Sequence, residues 1–190
     1  MTTPSFTPAP YYCEENVWQM CADPLVQGQP RAAIFISNSS RTVAVMHQRA
    51  APAPQQPVVW DYHVVMAARG PTGWMIWDVD STLGMPVPMS IYLRQSLAFP
   101  AGFEAPFTAR CRVISAARYR ATLCTDRSHM LDEQGQARAP LPSWPAIGQG
   151  TNLMRFVDLD QAFEGEVVEL PALPGALERV PAADEAPNEP

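Results

Sequence analysis

Short apolar blocks, separated by polar and proline-rich stretches, run along this chain of 190 residues. The first block, residues 14–21, predicts a short helix, because Glu14 and Glu15 fall in its first turn, where the helix dipole favours negative charge. Residues 90–97 and 116–123 have patterns typical of two further helices. We therefore expect helices near the N-terminus and in the second half of the chain.

The remaining apolar blocks are short and typical of strands. The predicted strands are residues 32–37, 42–47, 57–67, 74–79 and 110–115. The first two flank the polar triplet 38–40 and predict one hairpin. The next two predict a second hairpin, with its turn within Gly70-Pro71-Thr72-Gly73. A helix followed by mainly antiparallel strands indicates the α+β class.

Proline, with 21 residues, marks both ends of the chain. Residues 1–10 are rich in proline and threonine, and residues 171–190 are rich in proline, alanine and acidic residues. Both compositions predict flexible tails, which leaves one domain at residues 11–170. Residues 125–150 are polar and rich in proline and glycine, so we expect a long loop there. Loops of that length are usually functional or disordered.

The charge and composition argue against several classes of protein. The net charge is −6 and the basic residues are scattered, which argues against nucleic-acid binding. No apolar run reaches the roughly 18 residues of a membrane span, and residues 1–10 lack a secretory pattern, so we expect a soluble, cytoplasmic protein. The four cysteines are then expected to be reduced. The three histidines show no zinc-like spacing, so no metal site is expected.

Cys13 directly precedes the predicted helix at residues 14–21. A thiol at a helix N-terminus has its thiolate stabilised by the dipole and by unpaired backbone N–H groups, which lowers its pKa. The same N–H groups could stabilise an oxyanion. The alternative, a buried cysteine that only packs in the core, stays open on this observation alone.

His63 lies in an apolar strand, and Asp78 and Asp80 lie at the end of the next one. A turn centred on Gly70-Pro71 would place His63 opposite Asp78, with Cβ atoms about 5 Å apart. A turn centred on Pro71-Thr72 would place His63 opposite Asp80 instead. Either register allows an aspartate to orient the imidazole.

A thiol at a helix start, followed in the chain by a histidine and an aspartate on neighbouring strands, has the order of papain-like and transglutaminase-like cores. Cys13 would then be the nucleophile, His63 the base and later the acid, and Asp78 the orienting carboxylate. We interpret Asp80 as a residue that caps the turn at the strand end.

Five segments of the chain resemble the family of protein N-terminal glutamine amidohydrolases. They are residues 12–18, 35–38, 60–64, 77–80 and 126–130. The central segment, Trp60-Asp61-Tyr62-His63-Val64, matches the family's signature at all five positions. The order and approximate spacing of the segments also agree, so the resemblance extends from about residue 11 to residue 168.

The resemblance implies a three-layer α-β-α sandwich with a mainly antiparallel sheet, related to papain-like and transglutaminase-like hydrolases. It places the family's catalytic residues on Cys13, His63 and Asp78, and so favours Asp78 over Asp80. The implied activity converts an N-terminal glutamine of a protein or peptide to glutamate with release of ammonia, which feeds an N-degron pathway. No cofactor and no metal are implied, and we expect a monomer.

Recognition of a free N-terminus requires a group that binds an ammonium ion, and Glu14, Glu15 and Asp61 are the candidates. The remaining candidates for substrate binding are Trp60, Tyr62, Ser128 and His129. Two other enzymes fit the same triad: a deamidase of an internal glutamine, and a cysteine peptidase. A module that binds N-terminal residues without turnover is a third alternative, but binding alone gives no reason to combine a thiol, an imidazole and a carboxylate.

Overall fold

The computed structural model describes residues 3–99 and 105–182. The strands are β1 (Arg31–Ser37), β2 (Val43–Val45), β3 (Val58–Trp60), β4 (His63–Gly70), β5 (Gly73–Trp77), β6 (Val87–Pro88), β7 (Arg110–Ser115) and β8 (Glu166–Glu169). The α-helices are α1 (Cys13–Met20), α2 (Met89–Tyr92), α3 (Ala116–Thr122), α4 (Leu153–Val157) and α5 (Leu173–Leu177). A π-helix at Leu93–Leu97 continues α2.

Six of the strands form one sheet, in the order β6-β5-β4-β1-β7-β8. All of its neighbouring strands are antiparallel. Strands β2 and β3 form a separate antiparallel pair. The chain is therefore an α+β protein with a mainly antiparallel sheet, which confirms the predicted class.

Both faces of the six-stranded sheet are covered by apolar side chains. In the central strand β1, Ala33 and Phe35 join one buried cluster, while Ala32, Ile34 and Ile36 join another, because successive side chains point to opposite faces. Helices α1, α3 and α4 contribute to the first cluster, and α2 and α5 contribute to the second. Burial on both faces explains why β1 is a continuous apolar run.

The predicted strands at residues 110–115 and 74–79 are confirmed as β7 and β5, with small differences at the ends. The first predicted hairpin is wrong. Strand β1 pairs with β4 and β7, whereas β2 pairs with β3 in the other sheet. The Asn38 side chain donates to the carbonyls of Pro106 and Thr108, so the polar triplet turns the chain towards a distant segment.

The single strand predicted at residues 57–67 is also wrong, because it is two strands. Strand β3 ends at Trp60 and β4 begins at His63. Between them, the Asp61 side chain accepts a hydrogen bond from the backbone N–H of Tyr62, 2.9 Å away. This local bond competes with regular strand pairing, and the chain changes sheets at this point.

Parts of the predicted tails are packed against the domain. In helix α5, which lies within residues 171–190, Leu173, Ala176 and Leu177 are almost fully buried, so the expectation of a flexible tail is corrected there. The high content of proline and alanine in this segment gave no indication that its leucines are buried. Near the N-terminus, the backbone N–H and hydroxyl of Ser5 donate to Asp23. The rest of the predicted C-terminal tail, residues 183–190, lies outside the described residues.

The described helices are short: α1 has eight residues, and α2 together with its π-helical continuation runs from Met89 to Leu97. A helix that crosses a bilayer needs about 20 residues. Among the described residues, no helix combines the length and the apolar character that a membrane span requires.

Candidate active site

Cys13 is the first residue of helix α1, and its side chain reaches a cavity of about 210 Å³. The first N–H groups of a helix have no partner within it. Helix α1 packs on strand β4, which begins at His63. The backbone N–H of Val64 in that strand stabilises the charged form of the Cys13 thiol and lowers its pKa. The helix start and the strand start thus bring the thiol and the imidazole to the walls of one cavity.

His63 and Asp78 form a buried ion pair, with Nε2 of His63 lying 3.1 Å from Oδ1 of Asp78. The ring N–H is not aligned on this oxygen as a linear hydrogen bond would require. The other oxygen of Asp78 accepts hydrogen bonds from Gln48, at 3.0 Å, and from the Tyr92 hydroxyl, at 2.8 Å. The backbone N–H of Asp80 donates to Oδ1. Asp78 is therefore held from several directions.

The strand register differs from the one that first suggested this pair. Gly70 pairs with Gly73 and Met66 with Trp77, so the turn is centred on Pro71-Thr72. That register would place Asp80 opposite His63, but β5 ends at Trp77 and pairing stops before either aspartate. The contact between His63 and Asp78 is made by side chains beyond the last paired residues.

The charges of this pair shift both pKa values. Burial alone lowers the pKa of His63, but the adjacent Asp78 carboxylate outweighs it, so the pKa is raised above its usual value. Burial alone raises the pKa of Asp78, but His63, Gln48 and Tyr92 stabilise its charged form and lower the pKa. The pair therefore favours imidazolium beside carboxylate.

The pKa of the Cys13 thiol is raised well above its usual value, opposite to the expectation from its place at a helix start. Burial is the largest cause, and the carboxylates of Glu14 and Asp80 add to it, while the Val64 N–H acts in the other direction. Sequence alone does not show this burial. A thiolate here depends on a nearby group that takes the proton.

Four of the seven predicted substrate-binding residues line the cavity. They are Trp60, Asp61, Tyr62 and His129. The Trp60 ring is stacked on the His63 ring, with centroids 5.9 Å apart and an interplanar angle of 15°. This stacking restricts the tilt of the imidazole, so Trp60 has a positioning role as well as a place in the wall.

The other three, Glu14, Glu15 and Ser128, do not line the cavity. Glu14 is fully buried beside it, and its Oε2 accepts a hydrogen bond from the Tyr62 hydroxyl at 3.2 Å. Its Oε1 lies 3.4 Å from Nε2 of His129. Ser128 is exposed, and its backbone N–H donates to Asp126.

Glu15 ties helix α1 to the long loop at residues 125–150. Its fully buried carboxylate accepts two hydrogen bonds from the Arg127 guanidinium, at 2.8 and 2.7 Å, and one from the Trp144 ring N–H, at 2.7 Å. The carboxylate is therefore fully engaged within the protein. Its role is to hold the loop, which supplies His129 to the cavity.

His63, Asp78 and Asp80 each offer one ligand atom, and within the described ranges these atoms lie less than 4.8 Å from one another. A metal ion could occupy such a group. However, both oxygens of Asp78 already accept hydrogen bonds from Gln48, Tyr92 and Asp80, and a cation would compete with them. A site without metal stays a prediction.

The comparison with known proteins decides the family. A profile of the family described as N-terminal glutamine amidase matches residues 8–176. The chain belongs to this family. Relatives named protein N-terminal glutamine amidohydrolase include one from Bos taurus, which is 36% identical over 84% of this chain and 81% of its own length. The proteins of that name from Homo sapiens and Caenorhabditis elegans are 34% and 33% identical, over 78% and 83% of this chain and 76% and 87% of their own lengths.

Sequence reasoning missed three residues around the candidate triad of this N-terminal glutamine amidase. Asp80, interpreted as a turn cap, lines the cavity. A signal was present, because one of the two hairpin registers open to the sequence placed Asp80 opposite His63. Gln48 and Tyr92, which hold Asp78, lie 30 and 14 residues from it in sequence, and no local pattern marks them.

Proposed function

We propose that this chain hydrolyses the side-chain carboxamide of an N-terminal glutamine in proteins or peptides, giving N-terminal glutamate and ammonia. The observation that carries the proposal is a thiol, an imidazole and its carboxylate partner around one cavity in a chain of the N-terminal glutamine amidase family. The names of the relatives supply the substrate.

The first half of the reaction uses Cys13 and His63. The reactive form of His63 is the neutral ring, with its proton on Nε2, which faces Asp78, so Nδ1 is the nitrogen that takes the proton from the thiol. The thiolate attacks the carboxamide carbon, and the oxyanion is stabilised by backbone N–H groups at the start of α1. The imidazolium then protonates the amide nitrogen, the C–N bond breaks, and ammonia leaves a thioester on Cys13.

The second half consumes water. The neutral His63 takes a proton from a water molecule, whose oxygen attacks the thioester carbon. The carbon–sulfur bond breaks, His63 returns the proton to the sulfur, and glutamate is released. Asp78 keeps the imidazole oriented and stabilises its positive charge in both halves.

We also propose that the fold is the three-layer α-β-α sandwich of papain-like and transglutaminase-like hydrolases. Supporting it are helices on both faces of the sheet, a thiol at a helix start, and a histidine at the start of the strand on which that helix packs. The chain order of cysteine, histidine and aspartate agrees with this proposal.

Ammonia release from a glutaminyl-glycine peptide tests the proposed function. We expect release from the peptide with a free N-terminus and none from its acetylated or asparaginyl counterpart. Cys13→Ala should lower the rate by at least about 10³-fold and leave the fold intact, because it removes the nucleophile. Cys124→Ala, which removes a half-buried thiol outside the cavity, is the matched control and should retain activity.

Three results would contradict the proposal. Activity in Cys13→Ala would remove the nucleophile assignment. Release from the acetylated peptide would favour a deamidase of internal glutamine, and cleavage of the peptide bond would favour a peptidase.

A further inference from the structure

Asp80 places a second carboxylate at the cavity, next to the thiol and the imidazole. Its side chain is half-buried, and one of its oxygens lies within 4.8 Å of a ligand atom of both His63 and Asp78. Its backbone N–H donates to Asp78, and its carbonyl accepts from the backbone N–H of Arg49. Across residues 3–99 and 105–182, no N–H or O–H group donates a hydrogen bond to its carboxylate.

A carboxylate in this position is electrostatically unsatisfied. Burial raises the pKa of Asp80 and the Asp78 carboxylate adds to the rise, while the positive charges of His63 and Arg49 act against it. Cys13 also feels its negative charge. Burying a charged group without hydrogen-bond donors costs free energy, and a bound cation that donates hydrogen bonds removes that cost.

The length of the glutamine side chain determines where the α-ammonium group of the substrate lies relative to Cys13. Its carboxamide carbon must approach the Cys13 sulfur to about 3–3.5 Å for attack. Its α-ammonium group is four bonds from that carbon, so it lies about 4–5 Å away. The ammonium of a bound N-terminal glutamine is therefore inside the cavity, among the groups that surround Cys13.

We propose that the carboxylate of Asp80 binds the α-ammonium group of the substrate's N-terminal glutamine. This inference rests on the proposed function and names the group that recognises the free amine. An acetylated N-terminus has no charge to satisfy the carboxylate. Asparagine is one methylene shorter, so its ammonium lies closer to its carboxamide than the ammonium of glutamine does.

The other acidic candidates are less suited to this role. Glu14 and Glu15 lie outside the cavity wall, and Glu15 is engaged by Arg127 and Trp144. Asp61 lines the cavity but is exposed to water, and one of its oxygens accepts from the Tyr62 N–H. An exposed carboxylate gains little from an ion pair, because water already solvates it.

Two peptides that differ only in the amine test the assignment. One begins with glutamine, and the other begins with glutaramoyl, which is glutamine without its α-amino group. We expect wild type to prefer the first in kcat/KM by about 10²-fold, the size of a charge-assisted hydrogen bond in a partly buried site. Asp80→Asn should lower the preference for the glutamine peptide over the glutaramoyl peptide by about 10-fold to 10²-fold, because any effect of its charge on Cys13 or His63 acts on both peptides alike.

Two further variants sharpen the comparison. Asp61→Asn changes the other carboxylate of the cavity and should keep most of the preference for the free amine. Glu166→Gln removes one negative charge on β8, at the far edge of the sheet, and should behave as wild type. Collapse of the preference in Asp61→Asn but not in Asp80→Asn would overturn the assignment.

A binding measurement separates substrate recognition from positioning of His63. In the Cys13→Ala background, titration calorimetry should give about 10-fold weaker binding of the glutamine peptide when Asp80→Asn is added, and no change for the glutaramoyl peptide. A positioning role alone would lower turnover of both peptides equally and leave both affinities unchanged, and that result overturns the inference.

The wild-type enzyme separates failure of this inference from failure of the proposed function. Release of no ammonia from any glutamine peptide contradicts the function itself. Equal turnover of the glutamine and glutaramoyl peptides leaves an amidase of glutamine side chains, but overturns the binding of the amine by Asp80.

Discussion

Asp78 illustrates how much one buried side chain contributes to the candidate site. Its two oxygens contact His63, Gln48, Tyr92 and the backbone of Asp80. The family resemblance favoured Asp78 as the partner of His63, whereas the hairpin argument left Asp78 and Asp80 open. Its partners Gln48 and Tyr92 could not be predicted, because they come from distant segments. The raised pKa of Cys13 was missed for the same reason, since burial is a property of the tertiary structure.

Replacing Asp78 by Asn should lower the pKa of His63, because the carboxylate that stabilises the imidazolium is lost while the burial remains. The chain has only three histidines, so the ring signals can be assigned by substitution and followed by NMR against pH. The His63 midpoint should lie above 6.5 in wild type and shift to lower pH in Asp78→Asn. An unchanged midpoint would show that the pair does not control the imidazole.

The same substitution predicts a pH dependence of stability. Because the pKa of His63 is higher in the folded protein than in the unfolded chain, its protonation stabilises the fold. This stabilisation is complete at a pH below the pKa of the unfolded chain and is lost as the pH rises through the pKa of the folded protein. The pKa of Asp78 is lower in the folded protein, so its ionisation stabilises the fold at a pH above the pKa of the unfolded chain. That stabilisation is lost as the pH falls through the pKa of the folded protein. Urea unfolding should therefore show a larger deficit for Asp78→Asn at pH 5 than at pH 9. A constant deficit would contradict the pair as its cause.

At the scale of elements, two irregular segments of the chain are held in place by buried charged side chains. Glu15 fixes the loop at residues 125–150, and Arg112 of β7 fixes the segment between α4 and β8. The apolar pattern predicted α1, α3 and β7 within a residue or two. It did not predict α4 and β8, which are short and lie in polar surroundings where local periodicity is weak.

Glu15→Gln should loosen the loop at residues 125–150, because Arg127 is left as a mostly buried cation without its carboxylate partner. Breaking a buried pair by removing one partner costs about 3–5 kcal/mol. We expect faster hydrogen exchange in this loop and a lower Tm, measured against Glu133→Gln, an exposed residue of the same loop. Equal exchange in both variants would refute the role of Glu15 as a tether.

Arg112→Lys should destabilise the fold although it keeps the charge. The buried guanidinium donates to the carbonyls of four residues, Phe156, Asp158, Gln161 and Glu164. A lysine ammonium cannot reach all of them, and each buried unpaired carbonyl costs about 1–3 kcal/mol. Denaturant unfolding should show this loss, whereas the exposed Arg94→Lys should stay within about 0.5 kcal/mol of wild type.

At the scale of the whole molecule, the six-stranded sheet carries His63 on β4 and has helix α5, from the C-terminal end of the described chain, packed on β7 and β8. The class was predictable because alternation of short apolar runs and turns is recorded locally in the sequence. The strand order was not, since β1 pairs with β4 and β7 rather than with its neighbour in sequence. The extent of the domain was underestimated at its C-terminal end, where α5 covers one face of the sheet.

A chain that ends at residue 170 should be much less stable than one that ends at residue 182. The shorter chain loses Leu173, Ala176 and Leu177 from the core and exposes the apolar positions beneath them. Each buried leucine contributes about 1.5–3 kcal/mol, so thermal unfolding should occur well below that of the longer chain. Similar Tm values for the two chains would restore the predicted boundary at residue 170.

Substitutions and insertions near the end of strand β5 should have different effects on the site. Asp78 and Asp80 follow one another at alternate positions, and the pairing between β4 and β5 ends before both of them. A substitution at residue 80 other than proline keeps the backbone N–H that donates to Asp78, so an engineer who wishes the cavity to accept blocked or longer chains can vary this side chain while Asp78 keeps its hydrogen bonds. A one-residue insertion in the turn at Pro71-Thr72 has the opposite effect, because it moves both aspartates at once. Selection on substrate range can act by substitution at this strand end, but hardly by insertion.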